Sequence, residues 1–410
     1  MEKHLLIIES NTTGTGLIAL EIALSLGLSP IFLTNNPNRY KGLERIKCPV
    51  IVCNTNSIDA LIQTITAHKN VNQILGITTT SEFYVETVAH LTTYYGLAGN
   101  TAKAIQSCRN KAQTRRLLEA AQIRQPNFAV VCSISELNSA FTRIGFPCVV
   151  KPADDTGSSE VRICQTREEV EAQVTRILAI STNVRGQDTA QTVLIEEFLD
   201  VPEFSVEMFS WQGETTCVGI TQKYLTGLPY FIEYRHIFPA NLSQHIAEEI
   251  QATVKRTLDV VGITHGATHT EVKLTPQGAA IIEINARLAG GMIPELIRYA
   301  TGINLLEQQL KSAVGLSPDL QFRHTSHAGI QFIVAHTEGT LKDVRGIEAI
   351  QQEIEGIERV TITTPLGNRV ALPRSAYDRL GYIVTRADTY EEAVLRLNKA
   401  LAKLKISIES

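Results

Sequence analysis

The segment "THTEVKLTPQGAAIIEINARLAGG", Thr268 to Gly291, carries two glutamates twelve residues apart, Glu271 and Glu283, inside runs that otherwise read as buried strand. Pro276-Gln277-Gly278 separates two stretches of period two, the pattern of a β-hairpin. Proline presets the first turn angle, and glycine accepts the positive φ that closes a three-residue loop. Thr275, preceding proline, is pushed toward extended geometry. Such a loop pairs Thr275 with Ala279, and counting outward sets Glu271 opposite Glu283. Directly opposed side chains share a face with Cβ atoms about 5 Å apart, where like charges repel. Asn285 and Arg287 alternate with Glu283 and project to the same face.

A cation is needed to hold such a pair. Oxygen ligands that leave positions open suit Mg²⁺ completed by phosphate oxygens, and Arg287 can meet a phosphate bidentately. The plain alternative is a solvent-exposed hairpin face of mixed charge. That alternative does not account for Ala286, Ala289, Gly290 and Gly291, small residues that leave room beside the charges.

Outward from the hairpin, the chain bounds its own class. Its 410 residues suggest two or three domains. A hydrophobic content of 44% and a charged content of 20% are those of a globular protein. A net charge of −4 argues against nucleic acid or a membrane surface as partner. "MEKHLLIIES" enters a strand with no leader pattern, no apolar run approaches the roughly 20 residues of a membrane span, and a cytoplasmic location is expected. Seven scattered cysteines without a Cys-x-x-Cys read as free thiols in a reducing compartment.

"HLLIIES", the glycine turn into "NTTGTGLIALEIALSLG" and "SPIFLTNN" form a βαβ opening, and "VNQILGITTTSEFYVETVAHLTTYYG" repeats the strand-then-helix pattern. Residues 1–104 therefore read as a small doubly wound, Rossmann-like domain. Gly14-x-Gly16-x-x-Ala19 follows the dinucleotide fingerprint in outline, but Asn35 and Asn36 stand where an acidic residue is required, so an oxidoreductase reading is weak. "NKAQTRRLLEAAQI" (110–123) reads as a helix ending before Pro126, and "MIPELIRYATGINLLEQQLKSAVG" as helical. From about 316 the pattern is mixed α+β, closing with "TYEEAVLRLNKALAKL".

Further pieces suit a nucleotide. Lys151 ends the apolar strand "CVVKP", and the Gly/Ser turn Asp154 to Glu160, with Ser158 and Ser159, follows it with backbone donors for phosphate. Lys111 starts its helix. Glu196-Glu197-Phe198-Leu199 lies at a strand exit where backbone can read an adenine edge, and Glu203 offers a carboxylate to ribose hydroxyls.

In order and spacing, Lys111, "FPCVVKP", "DDTGSS", "EEFL", "EFSVE", "TEVKL" and "EINARLAGG" resemble the ATP-grasp superfamily over nearly the whole chain. "ATGINL" and "DRLGYIV" look like its carboxylase-like branch, whereas "IIESNTTGTGL", "RNKAQTRRLLEAA" and "YRHIFPA" are similar to the L-amino-acid ligases that make dipeptides. The resemblance implies an ATP-grasp fold at 105–315 behind the Rossmann-like domain, a mobile lid at about 126–195, and a C-terminal α+β region at 316–410 that completes the ATP-grasp half. It implies ATP with Mg²⁺, or Mn²⁺, as two ions on Glu271, Glu283 and Asn285. Lys111 and Lys151 would hold phosphates, the hinge adenine, Glu203 ribose, and Arg287 the acyl-phosphate transition state. The lid loop departs from many members in carrying Asp154, Asp155 and a single glycine.

The expected activity is an ATP-dependent carboxylate–amine ligation with an amino acid as one substrate, small-molecule partners, and a homodimer left open as assembly. His236 faces the amine as base or orienter, or else packs structurally near Pro239; His269 shares the glutamates' parity as pocket lining. Two rivals stay open: a carboxylase activating bicarbonate, and a nucleotide-binding protein without catalysis.

Overall fold

The computed structural model describes residues 3–12, 16–68 and 73–409. The first sheet has strands β1 (His4–Ile8), β2 (Ser29–Thr34), β3 (Val50–Val52) and β4 (Ile74–Thr78), all parallel in the order β3-β2-β1-β4. Continuous apolar runs such as "HLLII", buried at all five positions, suit a parallel sheet covered on both faces. Gly14 of the fingerprint lies outside the described residues. A Cβ on Gly16 would stand 1.8 Å from the Asn11 carbonyl oxygen, so close backbone approach accounts for that glycine.

A second sheet is antiparallel: β5 (Phe128–Val131), β6 (Cys148–Pro152), β7 (Arg162–Cys164) and β8 (Val193–Glu197), ordered β5-β8-β6-β7. Helices Leu137–Ile144 and Arg167–Leu178 cover one face and pack on Cys148 and Val150. Alternation leaves Val149 and Lys151 for the other face.

The largest sheet has eight strands. They are β9 (Glu203–Trp211), β10 (Glu214–Thr226), β11 (Ile232–Phe238), β12 (Gly266–Thr275), β13 (Gly278–Asn285) and β14 (His327–Val334), joined, beyond β15 (Gly339–Arg345), by β16 (Ile357–Ile362) and, beyond β17 (Arg369–Val370), by β18 (Arg379–Ala387). Their order is β13-β12-β9-β10-β11-β14-β18-β16. The sheet thus continues from the hairpin into the C-terminal region. A small sheet of β17, β15 and β19 (Lys405–Glu409) closes the chain. Phe204, Val206 and Met208 of β9 face helix Gln244–Val261, which buries Ile250, Val254 and Leu258 against them. Glu203, Ser205 and Glu207 alternate with these and take the opposite face. Among the described residues no helix is long and apolar enough to cross a membrane.

The hairpin is tighter than its sequence suggests. Thr275 pairs with Gly278 rather than Ala279, so the loop is Pro276-Gln277 alone, with Gly278 at φ +109°. That register, continued, would oppose Glu271 to Ile282. A bulge intervenes: Val272 pairs with Ile281, and Glu271 with Glu283. The two glutamates meet as the sequence suggests, but by a different route. Arg115, fully buried on helix Lys111–Ala120, fixes the bulge by donating to the carbonyls of Ile281 (3.1 Å) and Ile282 (2.7 Å). The helical reading of 292–315 also changes. Gly302 at φ +80° ends helix Ile293–Thr301, and Asn304 caps a second helix, Leu305–Ala313, through its side chain on the Glu307 N–H.

Arg115 also holds the Glu196 carboxylate at 2.7 Å. Replacing it with Met leaves a buried carboxylate and two carbonyls short of donors. Arg115→Met is expected to cost about 3–5 kcal/mol in urea unfolding, as for one partner of a buried pair. A loss no larger than that of a surface substitution would show that the bulge does not depend on this guanidinium.

Candidate active site

A cavity of about 220 Å³ lies between the second sheet and the eight-stranded sheet. Its floor is made of cross-strand rows. Lys273, Glu203, Lys223 and His236 stand side by side on β12, β9, β10 and β11. Glu283, Glu271 and Ser205 form the next row on β13, β12 and β9, and Asn285, His269 and Glu207 a third. Side chains of one row are direct neighbours, so opposite charges attract along it.

Lys223 is the centre of charge. Its Nζ lies 2.6 Å from Glu233, 2.5 Å from Glu271 and 3.0 Å from Glu203. Burial alone would lower its pKa, but Glu233, Glu271 and Glu203 raise it well above the ordinary lysine value. Glu271 is held well below the usual carboxylate range, against burial, by Lys223 and His269. Glu203 is raised, first by burial and then by repulsion from Glu271. Glu283 lies 3.3 Å from Lys111 Nζ, which also donates to the Asp155 carbonyl at 2.7 Å. The cation that the glutamate pair requires is therefore supplied within the chain as well, by two lysines.

On the opposite wall Lys151 contacts Glu196 at 2.7 Å. Burial lowers the Lys151 pKa, and Glu196 opposes the shift. Glu196 in turn, despite burial, is lowered to about 2 by Arg115 and Lys151. Glu197 accepts from the Asn127 side chain at 2.9 Å, and Lys273 donates to the Leu199 carbonyl at 2.8 Å. Phe198 lies across Lys273 and beside Phe231. Ser158 and Ser159 line the cavity from the 154–160 loop, where Gly157, Ser158 and Glu160 all have positive φ. Arg287 follows β13 and is gripped by Glu82 at 2.5 Å, by the Leu288 carbonyl at 2.9 Å and by Asn285 Oδ1 at 3.3 Å. Burial would raise the Glu82 pKa, but Arg287, Arg109 and Lys111 bring it below the ordinary value. His236 is fully buried, edge-on to Phe332, with Nε2 3.5 Å from Glu233.

Glu271, Glu283 and Asn285 are an open, oxygen-only set of the kind Mg²⁺ takes together with phosphate and water. Among the described residues no three His, Cys, Asp or Glu side chains form a metal cage. The sequence gives no sign of Lys223, Glu233 and Arg379, which line the cavity from distant segments, or of Glu82 and Arg115, which hold the lining residues Arg287 and Glu196 from behind. Lys273 and Glu207 were accessible by parity, two residues beyond Glu271 and four beyond Glu203. His269 is more than lining. Its Nδ1 is 2.8 Å from Glu207 and its Nε2 3.4 Å from Glu271.

Burial alone would lower the His269 pKa, but Glu207 and Glu271 push it up to about 9. A raised folded-state pKa stabilises fully below the unfolded value of about 6.5, and that stabilisation is lost as pH rises through about 9. The unfolding free energy is expected to fall across this window by on the order of 3 kcal/mol. His269→Gln should remove most of that slope. An unchanged slope in the variant would mean that His269 is neutral in the folded state.

Comparison with known proteins adds to this geometry. Residues 144–295 match the ATP-grasp domain family, and residues 331–409 match L-amino acid ligase C-terminal domain 2. An uncharacterized protein of Sinorhizobium fredii is 29% identical over 408 residues, covering 100% of this chain and 84% of the relative. An L-arginine-specific L-amino acid ligase of Bacillus subtilis is 24% identical over 296 residues, covering 72% of this chain and 70% of the relative. The crystal structure of an L-amino acid ligase from Bacillus licheniformis superposes with a TM-score of 0.81 at 24% identity, covering 100% of this chain and 99% of the other, so the two share a fold.

Proposed function

We propose that this chain, an ATP-dependent ligase forming C–N bonds with an ATP-grasp domain match at residues 144–295, couples a carboxylic acid to an amine through an acyl phosphate, with an amino acid as one substrate, releasing ADP and phosphate. The observation that carries this reading is the convergence of Glu271, Glu283, Asn285 and Arg287 with Lys111 and Lys151 on one cavity. The match of 331–409 to an L-amino acid ligase domain favours ligation over the carboxylase alternative.

A carboxylate acylates poorly because its leaving group would be oxide; phosphorylation replaces that leaving group with phosphate. The transfer needs positioning and charge neutralisation more than covalent help. Lys111 and Lys151 bind ATP phosphates, the Glu196–Leu199 segment meets adenine, and Glu203 meets ribose. Mg²⁺ or Mn²⁺, two ions in this reading and held by Glu271, Glu283 and Asn285, would neutralise phosphate charge and align the γ-phosphoryl group. With cations on those carboxylates, Lys111 and Lys223, which pair with Glu283 and Glu271, would be free to turn toward phosphate. Arg287, already oriented by Glu82, meets the charge that develops as the acid attacks. Ser158 and Ser159 lie in a loop whose backbone donors close over phosphate and exclude water from the acyl phosphate. His236 orients the amine. Residues 1–104 act as the Rossmann-like domain, 105–315 as the ATP-grasp domain with a lid at about 126–195, and 316–410 as the α+β completion. The free cysteines suit a cytoplasmic setting.

Acid, ATP and hydroxylamine without amine should yield an acylhydroxamate. Arg287→Lys keeps charge but not the bidentate fork, so it is expected to retain ATP binding within a few-fold and to lose about 10²–10³ in turnover. Normal turnover, or a defect confined to ATP affinity, would make Arg287 a ground-state anchor instead. Glu283→Gln should abolish ATP turnover with the fold retained by circular dichroism. Mg-ATP should protect the 154–160 loop from proteolysis; equal cleavage with and without nucleotide would argue against a covering loop.

A further inference from the structure

Glu82, Phe83 and Tyr84 form a single 3₁₀ turn in the N-terminal region, and this turn touches two separate parts of the molecule. On one side Glu82 holds Arg287 at 2.5 Å and Arg109 at 3.4 Å. On the other it meets residues 183–187, in the connection between helix Arg167–Leu178 and β8. The Phe83 carbonyl accepts from the Gln187 side chain at 3.0 Å. Arg109 and Arg185 both stand over the Phe83 ring, with Cζ 5.7 and 5.9 Å from its centroid, within reach of a cation–π attraction. Tyr84 donates to the Asn56 side chain at 2.9 Å, and Asn56 donates to the Arg185 carbonyl at 2.9 Å.

Arg185 is itself buried. Nη2 donates to the Ser10 carbonyl at 3.0 Å, Nη1 donates to the Tyr40 hydroxyl at 3.3 Å, and the charge faces Glu9 at 4.0 Å. Glu9 also accepts from Thr34, Thr55 and the Asn35 N–H, and it holds a φ of +52°, which a residue other than glycine keeps only where its surroundings impose it. Burying a guanidinium is costly unless it is paired, so this is a specific docking rather than a surface contact. The loop proposed to cover phosphate reaches the same turn, because Arg109 donates to the Asp154 carbonyl at 2.8 Å. The region of the second sheet therefore rests on the Glu82–Tyr84 turn at two places, and Arg287 rests on that turn from the other side. We propose that Arg185 is a positioning residue for Arg287: its docking fixes the turn, the turn fixes Glu82, and Glu82 aims the Arg287 guanidinium. Phosphoryl transfer then runs at full rate only with the second-sheet region seated, when water is kept from the acyl phosphate. The inference rests on the ligase reading for the role of Arg287 and adds a regulation of that site.

A chain of contacts becomes a coupling only when two sites are shown to depend on each other, which a double-mutant cycle measures. The full-length chain is given each L-amino acid with ATP and hydroxylamine, and hydroxamate formation identifies a usable acid. With that acid, kcat and ATP affinity are compared for wild type, Arg185→Met, Arg287→Lys and the double variant. Arg185→Met keeps an apolar stem without the charge, and should lose on the order of 10-fold in kcat while ATP binding stays within a few-fold. On the Arg287→Lys background the same change should cost less than about 2-fold, because no fork remains to be aimed. Arg185→Lys, still cationic, should recover part of kcat. Gln187→Ala should shift kcat in the same direction by less, and it serves in the cycle if circular dichroism shows Arg185→Met unfolded. Losses that multiply in the double variant overturn the proposal, since Arg185 would then act apart from Arg287. So does an Arg185→Met variant whose ATP KM rises while kcat holds, the behaviour of a residue that only keeps the region closed. Unchanged kcat in both Arg185→Met and Gln187→Ala is equally fatal. If the wild type gives no hydroxamate with any acid, the ligase reading falls, and with it the role of Arg287 on which this inference stands.

Discussion

The buried guanidinium of Arg115 is the contact on which the rest of the site depends. It donates at once to the two carbonyls beside the β12–β13 bulge and to the Glu196 carboxylate. The bulge shifts the hairpin by one residue, and with period two a one-residue shift moves every side chain to the other face. Without it Ile282 would oppose Glu271, and Glu283 would turn toward the core. Through Glu196 the same guanidinium places Lys151 across the cavity. One side chain thereby sets both the floor register and the position of a lysine on the facing wall.

Carboxylates gathered in a cavity this enclosed must be compensated. The chain does it by alternating sign along the row Lys273, Glu203 and Lys223, and by reaching across rows, Lys223 to Glu271 and Lys111 to Glu283. The same arrangement leaves a site rich in both charges, in which a nucleotide and cation bound as proposed would exchange partners with groups already present. Lys111 and Lys223 are the lysines whose carboxylate partners belong to the proposed metal set, so ligand binding and internal pairing draw on the same atoms.

The eight-stranded sheet explains why a C-terminal segment belongs to this chemistry. β14 and β18 extend the floor beyond β11, bringing Phe332 and Arg379 beside His236. The N-terminal region contributes Glu82, which grips Arg287 from outside the sheet. Side chains from remote parts of the chain thus line one cavity or hold the residues that do.

The strands that carry the site, and their faces, are legible in the sequence alone. Period two in "EFSVEMFSW" and "THTEVKLT" separates site from core, a proline-glycine turn announces the hairpin, and the ordered motifs from Lys111 to Arg287 indicate the fold. Those signals are local, because a strand's alternation and a turn's φ are set within a few residues. The loop length and the bulge were not legible, since a two-residue turn plus a bulge and a three-residue turn give the same Glu271–Glu283 pairing; the pairing of Thr275 with Gly278 distinguishes them, and Arg115 holds the bulge it requires. Nor could the sequence show that Lys223 gathers three glutamates, that Glu82 orients Arg287, or that Arg379 faces the cavity. Each of those depends on which strands lie side by side and which loops meet, and the tertiary structure decides them because a charge buried in a cavity is placed by partners far along the chain rather than by its neighbours in it.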